Sequence, residues 1–152
     1  MSSVTPAFQT SHIGLNVTDL ERSMQFYQAV FGFSVTGESR EPGRRFVFLS
    51  DSQRLVLTLW EQSEGAFATH CPGLHHLSFH VSSIEEVRVF EERLKTIEAQ
   101  FLYEGVVPHV EGQDTGGIFF ADPDGIRLEI YALRGASEQP APNASAPTCG
   151  FF

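Results

Sequence analysis

HHLSFHVSSIEEVRVFE, residues 75–91, is the second copy of a pattern written earlier in the same chain. Placed under SHIGLNVTDLERSMQFY, residues 11–27, it aligns without a gap at an offset of 64. His12 falls on His76, Val17 on Val81, Thr18 on Ser82, Leu20 on Ile84, Glu21 on Glu85 and Phe26 on Phe90. Each copy reads as a strand, a capped turn and an amphipathic helix. Leu20, Met24, Tyr27 and Phe31 share one face of the first helix, and Gly32 supplies its stop. Ile84, Val87, Phe90, Leu94 and Ile97 do the same in the second, at the spacing a helix needs to bury one stripe. Thr18 with Glu21, and Ser82 with Glu85, have the spacing of a capping box.

The repeat continues downstream. FVFLSDSQRLVLTLW, residues 46–60, and GIFFADPDGIRLEIYA, residues 117–132, both read as hairpins of β-rich runs. In the second, Asp-Pro-Asp-Gly is a turn signal, because Pro presets φ and Gly accepts a positive one. At an offset of 71, Asp51 falls on Asp122, Leu57 on Leu128, Thr58 on Glu129 and Leu59 on Ile130. With a middle strand near residues 32–37 in one copy and 101–107 in the other, each copy is βαβββ. The expected fold is α+β, with two βαβββ modules forming a cup-shaped mixed β-sheet. The modules fall at about residues 8–62 and 74–134 of one domain, 1–134, and residues 135–152 form an Ala/Pro/Ser-rich tail.

Strand alternation then assigns faces. His12, Gly14 and Asn16 of the first strand point into the cup, as do His76, Ser78 and His80 of its counterpart. Arg127, Glu129 and Tyr131 of the last strand point the same way, with Val56, Thr58 and Trp60 as equivalents, while His75 points outward.

Composition narrows the partners. The chain has 152 residues, 41% of them hydrophobic with 14 Phe, enough for a packed core. Its 10 Lys and Arg stand against 19 Asp and Glu, a formal charge of −9, with no basic run. Nucleic acid and anionic membrane both require a positive surface, so neither is an expected partner. No segment has the roughly 20 apolar residues of a membrane span. The start, MSSVTPAFQTS, has neither a basic nor an apolar leader region, so a cytoplasmic location is expected. Cys71 and Cys149 form no metal or redox motif.

The repeated S-H-I-G-L-N-V and H-L-S-F strands, the helix ending F-Y-Q-A-V-F-G-F and the closing F-F-A-D-P-D-G-I-R-L-E give the chain a family likeness over about residues 10–133. It resembles the vicinal oxygen chelate superfamily, which holds glyoxalase I, the bleomycin and fosfomycin resistance proteins, methylmalonyl-CoA epimerase and the extradiol ring-cleaving dioxygenases. The resemblance implies a divalent metal on the cup floor, with ligand positions at His12, Thr58, His76 and Glu129. A neutral Thr hydroxyl binds divalent ions weakly, which leaves His12, His76 and Glu129. Two histidines and one carboxylate occupy three positions of an octahedral ion and leave others for substrate and oxygen or water.

The resemblance therefore implies a metal-dependent enzyme acting on a small substrate with vicinal oxygens, with a non-haem Fe(II) dioxygenase favoured. The alternatives are a glyoxalase-like lyase or isomerase, or a thiol transferase, using Mn, Zn or Ni, and a metal-free drug-binding resistance protein. Short two-module chains of this family pair as homodimers, so a homodimer is expected, with the site formed within one chain or across two. His109 has the residue type to move protons near neutrality. Phe119 stands where the extradiol pattern has Tyr, and a Phe cannot donate a proton. Thr58, Trp60, His80, Phe119 and Tyr131 are the expected substrate-binding wall. For each inward histidine, the competing reading is a hydrogen-bonded packing residue. The tail has no strand or helix period and reads as flexible. Its end, TCGFF at residues 148–152, is apolar enough to dock in a groove of its own or a partner subunit.

Overall fold

The structure, a computed structural model, describes residues 4–152, so the first three residues of the N-terminal stretch lie outside the described residues. The first module contains β1 (Ile13–Val17), α1 (Leu20–Phe31), β2 (Ser34–Ser39), β3 (Phe46–Ser50) and β4 (Leu55–Glu61). The second contains β5 (Leu77–His80), α2 (Ile84–Thr96), β6 (Gln100–Phe101), β7 (Val107–Pro108), β8 (Gly116–Ala121) and β9 (Arg127–Ala132). One sheet has the order β1-β4-β3-β2 and the other β5-β9-β8-β6, with β7 also paired to β8. This is the α+β architecture the repeat implies. Each module contributes its own mixed sheet, and the sheets are not closed on themselves.

The two copies share one register. β1 runs parallel to β4 with Gly14 opposite Thr58, and β5 runs parallel to β9 with Ser78 opposite Glu129. These pairs are related by the sequence offsets of 64 and 71. The capping differs from the expected boxes by one residue in both copies. Asp19 caps α1 by accepting from the Arg22 N–H at 3.0 Å. Ser83 caps α2 by accepting from the Glu86 N–H, and the Glu86 carboxylate accepts from the Ser82 N–H at 2.9 Å. Thr18 is used otherwise: its N–H donates to Asp124 Oδ2 of the other module. Gly32 ends α1 at φ 72°, where an L side chain would be strained.

The middle strand expected at residues 101–107 is divided into β6 and β7. Gly105 turns the chain at φ 65° between them, although the Leu102 N–H still donates to Phe119 O.

Leu15, Val17, Leu57 and Leu59 of the first sheet and Leu77, Leu128 and Ile130 of the second are buried in one continuous core with both helices. Each such side chain contributes about 1.5–3 kcal/mol through burial. Polar links also join the modules. The Tyr27 hydroxyl donates to Asp122 Oδ2 at 2.8 Å, and Arg22 pairs with Asp124 at 2.7 Å. No helix among the described residues is long and apolar enough to cross a membrane.

Candidate functional site

The faces turned away from the helices carry the polar residues. On the first module, a Cβ at Gly14 would lie 3.3 Å from Thr58 Oγ1 and 3.5 Å from Trp60 Nε1, so these residues share a face. Trp60 Nε1 donates to Thr58 Oγ1 at 2.9 Å, and the Trp60 ring packs on Phe46 and Phe48 at 5.1 and 6.0 Å. Thr58 is buried beneath this aromatic cover. His12 stands exposed just before β1.

On the second module the position equivalent to Thr58 holds Glu129. Its side chain is 5% exposed, and Oε2 lies 3.0 Å from His109 Nε2 while Oε1 lies 3.8 Å from His76 Nε2. The other His109 nitrogen, Nδ1, is 3.0 Å from Thr115 Oγ1, which fixes the ring in its plane. Burial pushes the Glu129 carboxyl up, but hydrogen bonds from His109 and Ser78 and the electrostatic attraction of the two imidazole side chains outweigh it and hold it below the usual carboxylate range. His76 is held below the ordinary histidine value, chiefly by its burial, so its neutral, ligand-competent form is favoured.

His76, His109 and Glu129 thus come together. His12 and Thr58 lie on the other module, and no hydrogen bond or ion pair among the described residues links the two faces. Phe119 is buried opposite Glu129 across β8 and β9. Tyr131 packs between His109 and His80, with ring centroids 5.0 and 5.1 Å away. His75 departs from the outward orientation. It precedes β5, so strand alternation does not bind it, and its Nδ1 lies 2.8 Å from His76 Nδ1.

Three residues outside the expected set also belong to this face. Arg127 donates from Nε to His75 O and from Nη1 to Phe152 O, at 3.0 Å each. Tyr103 and Phe152 close over it, with centroids 5.5 Å from Phe119 in each case. Strand period places Arg127 here in advance. The apolar end TCGFF marks Phe152 as a docking residue without saying where it docks, and nothing local in the sequence marks Tyr103.

The donor chemistry of neutral imidazole and carboxylate suits a divalent ion. Within one chain the donor set is partial. Among the described residues, no three His, Cys, Asp or Glu side chains are grouped so as to hold a metal ion. A cleft of about 620 Å³ between the modules is lined by Ser11, Ile13, Asp51, Arg54, Ser78 and His80, and His76, His109 and Glu129 do not line it.

Comparison with known proteins follows the same lines. A family model described as the Glyoxalase/Bleomycin resistance protein/Dioxygenase superfamily matches residues 9–130. A catechol-2,3-dioxygenase of Bacillus subtilis (strain 168) is 28% identical over 137 residues, which cover 86% of this chain and 45% of that protein. The chain therefore spans less than half the length of this relative. A probable trivalent organoarsenical cleaving enzyme of the same organism is 26% identical over 84% of this chain and 82% of its own length. Among solved structures, a glyoxylase/bleomycin resistance protein/dioxygenase domain from Frankia sp. EAN1pec is 27% identical, with a TM-score of 0.72 over 85% of this chain and 100% of that one.

Proposed function

Since the chain belongs to the glyoxalase/bleomycin resistance/dioxygenase superfamily, we propose that the Glu129 face is the reaction site of a metal-dependent enzyme acting on a small substrate with vicinal oxygens. The reaction type favoured is a non-haem Fe(II) dioxygenase. The observation that carries this reading is the buried Glu129 carboxylate set between His76 and His109. A buried carboxylate is costly unless paired; His109 holds one Glu129 oxygen, and His76 stands beside the other as a second donor for an ion.

His76 and Glu129 would hold the ion, with His12 as third ligand. His12 is exposed on the face of the other module, so we assign it to the site of a second copy in a homodimer. A divalent ion bound there supplies Lewis-acid stabilisation of an oxyanion on the substrate. His109, fixed by Thr115 and Glu129, is the group that holds or passes a proton at Nε2. Buried Phe119 keeps water from the Glu129 side and cannot itself supply a proton. Tyr131 and His80 form the adjoining wall. Trp60 of the partner face would complete it, with Thr58 beneath holding its indole N–H.

The similarity to a catechol dioxygenase supports an aromatic diol as substrate. The fuller length match to an organoarsenical cleaving enzyme supports a second reading, cleavage of a carbon–arsenic bond at the same site. The test is elemental analysis of anaerobically purified protein, with oxygen uptake followed on catechols and on a trivalent phenylarsenical. About one iron per chain and uptake on either substrate class support the oxygenase. Manganese, zinc or nickel without uptake redirects it to a lyase, isomerase or transferase. Protein that takes up no metal on reconstitution is a binding protein.

A further inference from the structure

The tail returns to the second module and ends on the face that carries Glu129. The Thr148 N–H donates to His109 O at 2.8 Å, and its hydroxyl donates to Pro108 O at 2.6 Å. Thr148 is buried and opens a single 3₁₀ turn, Thr148–Gly150. The Tyr103 hydroxyl lies within donating reach of Thr148 O and Phe151 O, at 3.2 and 2.8 Å. These contacts deliver Phe152 to a defined slot. Its ring centroid is 5.8 Å from His76, 5.5 Å from Phe119 and 6.0 Å from Tyr103, and the His76 and Tyr103 rings meet it edge to face. Arg127 Cζ lies 4.8 Å from the ring centroid while the same guanidinium binds Phe152 O.

Such a slot has the recognition elements for a flat aromatic ring bearing an acceptor oxygen. Rings supply edge and face contacts, a cation lies over the ring, and a guanidinium N–H meets the oxygen. Phe152 presents those same two features. We infer that residues 148–152 are a self-ligand, which fills the aromatic subsite beside His76 and must leave it when an aromatic substrate with an acceptor oxygen enters. This rests on the reading of the Glu129 face as the reaction site, and it names the substrate class and a built-in competitor for it.

Cys149 lies within the docked segment and reports its position. The thiol is half-buried in the docked segment, so docking limits the access of an alkylating reagent to it. Cys71 is exposed and serves as an internal reference.

The experiment is alkylation of the full, metal-free chain with iodoacetamide, each cysteine being followed by mass spectrometry. Benzoate is the probe and acetate the control for charge. Benzoate is expected to speed Cys149 alkylation several-fold, with acetate and Cys71 showing no such change. Phe152→Ala is expected to label fast at Cys149 without benzoate and to gain nothing from it. Tyr103→Phe, which loses only the hydroxyl contacts, is expected to fall between the two. An unchanged melting temperature in Tyr103→Phe separates undocking from unfolding. Cys149 labelling that responds neither to benzoate nor to the substitutions would overturn the inference. Metal plays no part in the assay, so a failure of the metal assignment leaves its result intact.

Discussion

The two modules share a backbone and divide the chemistry. Thr58 and Glu129 occupy the same position in the same strand, opposite Gly14 and Ser78 of the same parallel partner. Around Thr58, Phe46, Phe48 and Trp60 build an aromatic cover. Around Glu129, His76 and His109 bring ring nitrogens to 3.8 and 3.0 Å from a buried carboxylate. The turns differ in the same sense. Asp51 and Asp122 each accept from two backbone N–H groups of their own turn. Asp51 is exposed, and those bonds hold it below the usual aspartate value. Asp122 is buried against Tyr27, and burial raises it in spite of the same kind of bonds. One backbone therefore sets where a side chain points, while the residues packed around it, from its own module at Thr58 and Glu129 and from the other at Asp122, decide its charge and use.

The largest break in this comparison is Glu129→Thr, which gives the second module the residue of the first. Loss of a ligand exceeds the ~10–100-fold cost of losing a ligand's supporting partner. Bound metal and oxygen uptake should both vanish, with the fold retained by circular dichroism. His76→Ala should behave alike and His75→Ala should retain the metal. The reverse pattern would move the ligand to His75.

Next in size is Tyr27→Phe. It leaves Asp122 Oδ2 buried without its donor, at about 1–3 kcal/mol. A chain of this size should lose about 2–12 °C in melting temperature for that change. Asp51 has no such partner, so Asp51→Asn should move the melting temperature less.

The helix caps sharpen the equivalence. Asp19→Ala and Ser83→Ala should each cost about 1 kcal/mol, and by similar amounts, as read by denaturant midpoints. If Thr18→Ala proves the costlier change, the cap lies one residue earlier in the first module.

The smallest effect is in the pH dependence, and it differs in sign between the turns. Asp51, lowered in the folded state, contributes stability above the ordinary aspartate value that is lost as pH falls through its depressed value. Asp122, raised in the folded state, contributes stability in full below that ordinary value and loses it as pH rises through its elevated one. Asp51→Asn should therefore flatten the acid-side fall of the melting curve. Asp122→Asn should remove a decline just above pH of about 4. Equal signs for both variants would contradict the difference in burial.

The repeat made the fold legible, because a 3.6-residue stripe and a period-two strand recur in phase at fixed offsets. Period two also separated Glu129 from Leu128 and Ile130, which face the core. Where local chemistry was degenerate, the reading slipped. Thr18 and Asp19 are adjacent cap formers, and the Asp19 bond to the Arg22 N–H, with Thr18 drawn to Asp124 of the other module, decides between them. His75 precedes its strand, so alternation did not fix its ring. The contact of His109 with Glu129 depends on the path of the loop from β7 to β8. The slot around Phe152 joins Tyr103, Phe119 and Arg127 with a tail that carries no periodic signal. Contacts made only in three dimensions leave no trace in local pattern.

The central claim is that a metal is held by His76 and Glu129 of one copy and His12 of another. The most direct test is metal content in a mixture of two inactive variants, His12→Ala and Glu129→Gln, unfolded together and refolded with Fe(II) under anaerobic conditions. Each variant alone should bind none. Random pairing in a two-fold dimer leaves one intact site in each mixed pair, so the mixture should recover about a quarter of the wild-type metal. No recovery in a mixture shown to contain mixed dimers would contradict a site shared between copies.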